Sequence, residues 1–280
     1  LPAGGSNISC ISMPAGSTLL VDADYTFNGT TFNMGSNSRI LVKSPYRLIL
    51  RNHCKLTGCD STWQGVTLEP GSASPVVSPG GQLDMSDSRL EYAATGILAQ
   101  SQSMLRLVSN VFANNPVGLK ITGYVPFINF GNPDDFSNNT FYSPYGYAAI
   151  WFESAYHFSI GDAYSGSASV TNTLTDYSTG ILVNNSEEIG IYGVTIKELY
   201  GLIYSDPFTG DRICIKTLHS RNVGVKYCTM TDFLGSGIGR PYYGIATYFG
   251  RGRHIYSNNN ILSFVNGIYT TSIASESVSF

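Results

Sequence analysis

The chain has 280 residues, 42% of them hydrophobic but only 12% charged, with a formal net charge of −3. Charged residues ordinarily make up about a quarter of a globular chain, so Ser, Thr, Asn, Gly and Tyr must cover this surface, as in secreted β-rich proteins. No run of Lys and Arg is present and no apolar stretch is long enough to span a membrane, which excludes nucleic acid as a natural partner and a spanning segment within this chain. Nothing resembling a secretory leader precedes Leu1, so any such leader is expected to have been removed.

Taken in order, residues 1–26 read as an N-terminal cap or entry segment. Residues 27–32, 39–42 and 48–50 are short apolar strands opening a domain expected to run from 27 to 280. A repeat is regular over 81–121 and again over 186–203. Its clearest mark is a glycine followed by an aliphatic residue: Gly96-Ile97, Gly118-Leu119, Gly180-Ile181, Gly201-Leu202, Gly244-Ile245 and Gly267-Ile268. Gly96 and Gly118 are 22 residues apart, Gly180 and Gly201 are 21 apart, and Gly244 and Gly267 are 23 apart. A degenerate copy is Ala149-Ile150. Met85 and Leu90, Leu107 and Phe112, Ile191 and Ile196, Val225 and Met230, and Tyr256 and Ile261 are each five residues apart. Leu90 and Ile97, Phe112 and Leu119, Leu174 and Ile181, and Ile261 and Ile268 are each seven apart.

Within the segments apolar and polar residues alternate, the period of two of a strand with one buried face. One unit is therefore strand, tight turn, strand, turn, strand in about 22 residues, too short for a propeller blade. The fold class is all-β, a right-handed parallel β-helix solenoid with three short strands per coil, about ten coils and a length of ~50 Å. Asn110, Asn139, Asn172 and Asn258 to Asn260 recur between the first two strands; Asn tolerates left-handed backbone and can stack in ladders along a turn.

Segments 124–138, 161–170, 205–211 and 234–243 interrupt the repeat with Gly, Pro and Asp, and are expected as loop insertions building a binding face. Residues 277–280 look like the start of a further strand, so the solenoid is expected to continue beyond Phe280. Five cysteines, Cys10, Cys54, Cys59, Cys214 and Cys228, show no zinc-ligand spacing; Cys54 with Cys59 and Cys214 with Cys228 are candidate disulfides, with buried core thiols the alternative.

The short strands, Asn turns and Gly-Ile closers resemble the broad pectate-lyase-like β-helix family. Residues 31–35, 39–43, 48–50, 56–59, 63–66, 80–83 and 93–97 also resemble a stretch of large secreted surface proteins of Bacteroidota exported by the type IX pathway. The first resemblance implies the fold, the second an extracellular or cell-surface location. Enzymes of this fold imply what to look for: a lyase needs clustered acids for calcium with an Arg or Lys base, a hydrolase needs paired carboxylates. The candidates for such a catalytic set are Asp134, Asp135, Asp162, Asp211 and Lys216, with Asp176 and His219 as further titratable groups. The run 211–216 lacks the spacing and partners of a polygalacturonase. His53, His157, His219 and His254 share no metal-like spacing, so no metal site and no cofactor is expected, calcium entering only for a lyase.

The densest mixture of aromatic and cationic side chains gives the candidate ligand site: Arg240, Tyr242, Tyr243, Tyr248, Arg251 and Arg253. Flat aromatic faces beside guanidinium groups suit sugar or protein contacts; residues 141–147 form a second such patch. The functional expectation is a structural or binding module, adhesin-like or part of a surface filament, contacting glycans, other surface proteins or secretion machinery through side-face loops. The alternative is a polysaccharide lyase or glycoside hydrolase.

Overall fold

The computed structural model describes residues 8–58, 62–72, 78–128, 135–161, 171–197, 199, 212–231, 242–262, 264, 266–271 and 278–279. Among these there are strands and turns and no α-helix, and every strand–strand ladder is parallel. The chain winds as a parallel β-helix with three faces.

The second face stacks ten strand segments: Cys10–Met13, Thr31–Met34, Lys55–Gly58, Arg89–Glu91, Val111–Ala113, the start of Thr140–Ile160, the start of Asn172–Asn184, Val194–Lys197, Thr229–Thr231 and Asn260–Leu262. The third face stacks ten more, from Thr18–Val21 and Arg39–Val42 through Gly65–Leu68, Thr95–Ala99 and Val117–Gly123 to Arg212–Leu218, Tyr242–Tyr248 and Asn266–Thr271. The first face runs from Tyr25–Asn28 to Phe136–Ser137, and again from the end of Thr140–Ile160 to Val278–Ser279.

Register explains the repeat. On the second face Ile11, Phe32, Leu56, Leu90, Phe112, Phe141, Leu174, Ile196, Met230 and Ile261 follow one another as direct partners, coil upon coil. On the third face the inward column is Leu19, Ile40, Val66, Ile97, Leu119, Ile150, Ile181, Ile215, Ile245 and Ile268. Like lies on like; the Phe112 and Phe141 rings stack with centroids 4.5 Å apart. Each fully buried side chain of this kind contributes about 1.5–3 kcal/mol.

The turn from the first to the second face shows what the asparagines do. One residue takes a left-handed conformation, as in Asp87, Ser109, Asn138, Tyr227 and Asn258. The next residue turns its side chain inward and donates to a carbonyl of the coil below: Asn110 Nδ2 to Met85 O (2.8 Å), Asn139 Nδ2 to Leu107 O (2.8 Å), Asn172 Nδ2 to Phe136 O (3.1 Å), Asn259 Nδ2 to Val225 O (2.9 Å). Cys54 and Cys228 occupy the same rung: their thiols donate to Phe27 O (3.3 Å) and Ile191 O (3.6 Å). This corrects the disulfide expectation. Cys54 and Cys228 are buried free thiols and Cys10 is an exposed one, Cys214 is buried, and Cys59 lies outside the described residues. Cys214 belongs to the third-face ladder and Cys228 to the rung before the second face, so they are not ladder neighbours. Burial pushes the Cys228 thiol up to about 12, which suits a hydrogen-bonding filler and not a redox partner.

Three further expectations change. Residues 10–21, expected within a cap, already form strands in register with 31–34 and 39–42. Gly201-Leu202 lies outside the described residues, and its closing position is taken by Cys214-Ile215, because Ile215 pairs with both Ile181 and Ile245. The insertions do not share one turn: 124–138 follows the third face, 161–170 separates the first face from the second, and 205–211 and 234–243 both separate the second from the third.

Near one end the core becomes polar. The inward column Val183, Thr217, Thr247 carries two hydroxyls, and a directional chain runs from Thr217 to Thr247 (2.8 Å), on to the Tyr256 hydroxyl, to His254 Nδ1 (3.2 Å), and from His254 Nε2 to Arg251 O (3.1 Å). The carbonyl requires a proton on Nε2, so Nδ1 accepts from Tyr256. Burial holds the fully buried His254 imidazole below its ordinary value of 6.5. A base depressed in the folded state binds its proton more readily when unfolded, so its contribution is intact above about pH 6.5 and is lost as pH falls towards the lower folded value. Thermal and urea unfolding between pH 7.5 and 5 is expected to show this loss, up to about 1.4 kcal/mol per pH unit, and His254→Gln is expected to flatten the slope. An equal slope in that variant would assign the loss elsewhere.

Candidate functional site

The third face carries what the interior does not need. Two outward rows flank its second inward column, Ile121, Phe152, Val183, Thr217 and Thr247: Lys120, Trp151, Leu182, Lys216, Ala246 and Tyr269 in one, and Thr122, Glu153, Asn184, Leu218, Tyr248 and Thr271 in the other. Their aliphatic members do not join the main core. Ala148, Leu182 and Leu218 form a separate buried cluster against which Tyr147, Trp151 and Tyr248 pack. The aliphatic members of this cluster are buried and the three aromatic ones half-buried, so the rings are what this side of the solenoid offers to a partner.

Polar groups are fixed around it. Trp151 Nε1 donates to Glu153 Oε2 (2.9 Å), and Asn184 Nδ2 donates to both Glu153 oxygens (3.2 and 3.1 Å). The Lys120 ammonium lies 3.7 Å from the centroid of the Trp151 ring, which Tyr147 meets edge-on at 5.5 Å. Lys120, Trp151, Glu153 and Asn184 are all half-buried. The carboxylate is thus oriented by two donors, yet keeps acceptor capacity for a further hydroxyl. Further along, Tyr269 sits between Tyr243 (5.0 Å) and Tyr248 (5.8 Å) and is 38% exposed, a second aromatic platform on the same face.

The sequence-based candidates fare unevenly. Tyr243 and Tyr248 belong to this face. Tyr242 contributes backbone to the same strand, its side chain falling outside the description together with Arg240. Arg251 and Arg253 are exposed at the turn from the third face to the first, so the expected patch divides into an aromatic platform and a cationic corner. Lys216 points out of the sheet but is only 1% exposed, its ammonium 5.3 Å from the Tyr248 ring centroid. His219 is exposed and stacks face to face on Phe249, and Asp176 occupies a left-handed turn position. Asp134, Asp162 and Asp211 lie outside the described residues.

Asp135 is buried against Arg106 (3.3 Å), whose other arm holds Asp84 (2.9 Å), itself also bound by Arg51 (2.9 Å). This quartet ties successive coils of the first face together, with both carboxylates buried. Glu91 plays the same part on the second face. Burial alone would raise its pKa, but hydrogen bonds from Lys55 and Arg89 outweigh that and hold the carboxyl below the usual range. Among the described residues no group of three or more His, Cys, Asp or Glu could hold a metal ion, and no helix is long and apolar enough to cross a membrane.

No family model matches this chain, and no curated protein does. Among solved structures it is similar to the enzymatically active domain of tailspike protein 2 of bacteriophage CBA120, with TM-score 0.52 and 11% identity over 96% of this chain. The chain spans 42% of the length of that tailspike chain. A comparison with the A-module of the mannuronan C-5 epimerase AlgE6 of Azotobacter vinelandii gives TM-score 0.23 and 10% identity over 96% of this chain and 91% of that one. The tailspike likeness supports the parallel β-helix and, at 11% identity, the fold alone; the epimerase score carries no argument.

Proposed function

We propose that this chain is a secreted or cell-surface β-helix that binds polysaccharide along the outward rows of its third face, in an adhesin-like or surface-filament role. The observation that carries this reading is the grouping of Trp151, Glu153, Asn184 and Lys120 on the same face as Tyr243, Tyr248 and Tyr269. Aromatic rings offer apolar surface to the C–H faces of sugars, and an oriented carboxylate, amide and ammonium match their hydroxyls. Coils repeat at about 4.8 Å, so the steps from Trp151 to Tyr269 cover roughly 20 Å, room for several sugar rings in a line. Low charge and abundant hydroxyl and amide groups suit an extracellular setting, and the likeness of residues 27–97 to Bacteroidota surface proteins supports export by the type IX pathway. Trp151→Ala is expected to weaken binding of neutral oligosaccharides about tenfold by titration calorimetry; an unchanged affinity would remove the third face from the binding site.

A lyase or hydrolase is the second reading. It is favoured by the similarity to an enzymatically active domain and by the half-buried Glu153 carboxylate among aromatic side chains. Release of oligosaccharides from a bound polysaccharide, abolished by Glu153→Gln, would establish it, with a chelator separating a calcium-dependent lyase from a hydrolase.

A further inference from the structure

A recess on the first face is separate from these rows. Ser159, Gly190 and Gly224 are direct partners on three successive coils, so one outward position is nearly empty of side chain. Tyr192 fills part of that space. A Cβ on Gly190 would fall 2.5 Å from the Tyr192 ring and 2.6 Å from Ser159 Oγ, and one on Gly224 would fall 3.3 Å from the Tyr192 hydroxyl. The half-buried ring thus lies against glycine backbone. Glycine inside a strand weakens it and marks a place where another group comes close to the main chain; here two such glycines admit one aromatic ring at the floor of an open recess.

The adjoining corner is cationic. Arg221 and Arg251 are bridged across neighbouring coils, and Arg253, two residues on, lines the recess beside Asn222. Like charges opposite one another on adjacent strands are destabilising. Two acids offset them in part: Glu187 stands 3.7 Å from Arg221 with both side chains about half exposed, and Glu188, paired with His157, lines the recess at the side away from this corner's Arg251. Among the described residues Arg251 and Arg253 form no ion pair and are exposed. In a chain of net charge −3 with only 16 Lys and Arg, three guanidinium groups at one corner are a marked local concentration.

We propose that this recess is an anion-selective glycan site: a sugar ring rests on Tyr192 while its anionic substituent, a carboxylate, sulfate or phosphate, is held by Arg253 in the field of Arg251 and Arg221. The planar guanidinium fork matches all three groups, and the anion relieves the repulsion between arginines. This rests on the glycan-binding reading and adds the class of glycan and a second contact face.

The test is titration of a hexagalacturonate, a heparin-derived hexasaccharide and cellohexaose into the wild-type chain, into the double variant Arg251→Gln/Arg253→Gln, and into Trp151→Ala. At least one anionic hexamer is expected to bind about tenfold tighter than cellohexaose, with affinity falling as salt rises. The double variant is expected to lose that preference at an unchanged melting temperature, and Arg251→Lys/Arg253→Lys to keep most of it. A win for hexagalacturonate assigns a carboxylate, and a win for the heparin hexasaccharide, which carries sulfates beside its carboxylates, assigns sulfate. Equal affinity for all three hexamers, or a preference that survives in the double variant, overturns the proposal. Trp151→Ala is read separately: it is expected to weaken cellohexaose and leave the affinity for the anionic hexamer unchanged, so the ratio widens, and a null result there counts against the third-face site and not against this one.

Discussion

Asn139→Leu is expected to cost about 3–5 kcal/mol of stability, a fall in melting temperature of roughly 6–10 °C. Asn139 is fully buried. Its Oδ1 accepts from the backbone N–H (3.0 Å) and the side-chain amide (3.1 Å) of Asn110, and its Nδ2 donates to Leu107 O (2.8 Å) and Asn172 Oδ1 (3.1 Å). Leucine is similar in size, so the cost is not a cavity. It is the stranding of the Asn110 N–H and the Leu107 carbonyl away from water, at about 1–3 kcal/mol each, with the loss of two links of the ladder. The neighbouring residue gives the contrast. Asn138 is exposed with φ of 55°, so Asn138→Gly is expected to change stability by less than about 0.5 kcal/mol. Urea titration and thermal unfolding of the two variants side by side decide it; comparable costs would mean that the ladder is not what holds the coils.

The second large effect is expected at Gly65. Its φ is +101°, and a Cβ there would lie 1.7 Å from the Thr95 carbonyl oxygen and 2.8 Å from that of Gly96. Both are backbone atoms of the next coil, so no side-chain rotation relieves the clash, and Gly65→Ala must open the rung between Gly65–Leu68 and Thr95–Ala99. A loss of about 4 kcal/mol or more, or failure to accumulate as soluble protein, is expected. Gly16→Ala serves as the control. Gly16 is also left-handed (φ +68°) but has nothing within 4 Å, so its cost is the backbone term alone, about 1 kcal/mol. Equal melting temperatures for the two alanine variants would refute the account.

Much of the fold was legible because the interior repeats on a fixed register. The five- and seven-residue spacings predicted from Leu107, Phe112 and Leu119 are the separations between consecutive inward columns. The cysteines were not legible. A thiol substitutes for an asparagine amide as donor to the coil below, and nothing in the spacing of Cys54 or Cys228 distinguishes that role from half of a disulfide. The 205–211 insertion hid a rung, since Cys214-Ile215 closes a coil without the glycine that marks Gly180-Ile181 and Gly244-Ile245 on either side of it. Trp151, Lys120, Glu153 and Asn184 were missed for a different reason. Acidic clusters and aromatic density along the chain do not reveal this site, because it gathers one or two residues from each of three coils. The signal is present in the sequence: Ala149-Ile150 is a closer, and the first and third positions after the aliphatic residue of a closer face outward. Reading those offsets through every copy would have collected the site.

The one-to-one register of inward columns also bears on how the chain responds to load. Each coil is bonded only to the coil before it and the coil after it, so tension applied along the rod meets one interface at a time, not the whole interior at once. Extension should proceed as a series of similar ruptures, each releasing the length of a single coil, with the remainder still wound. A tether of this construction yields in instalments and can rewind from the part that stayed intact.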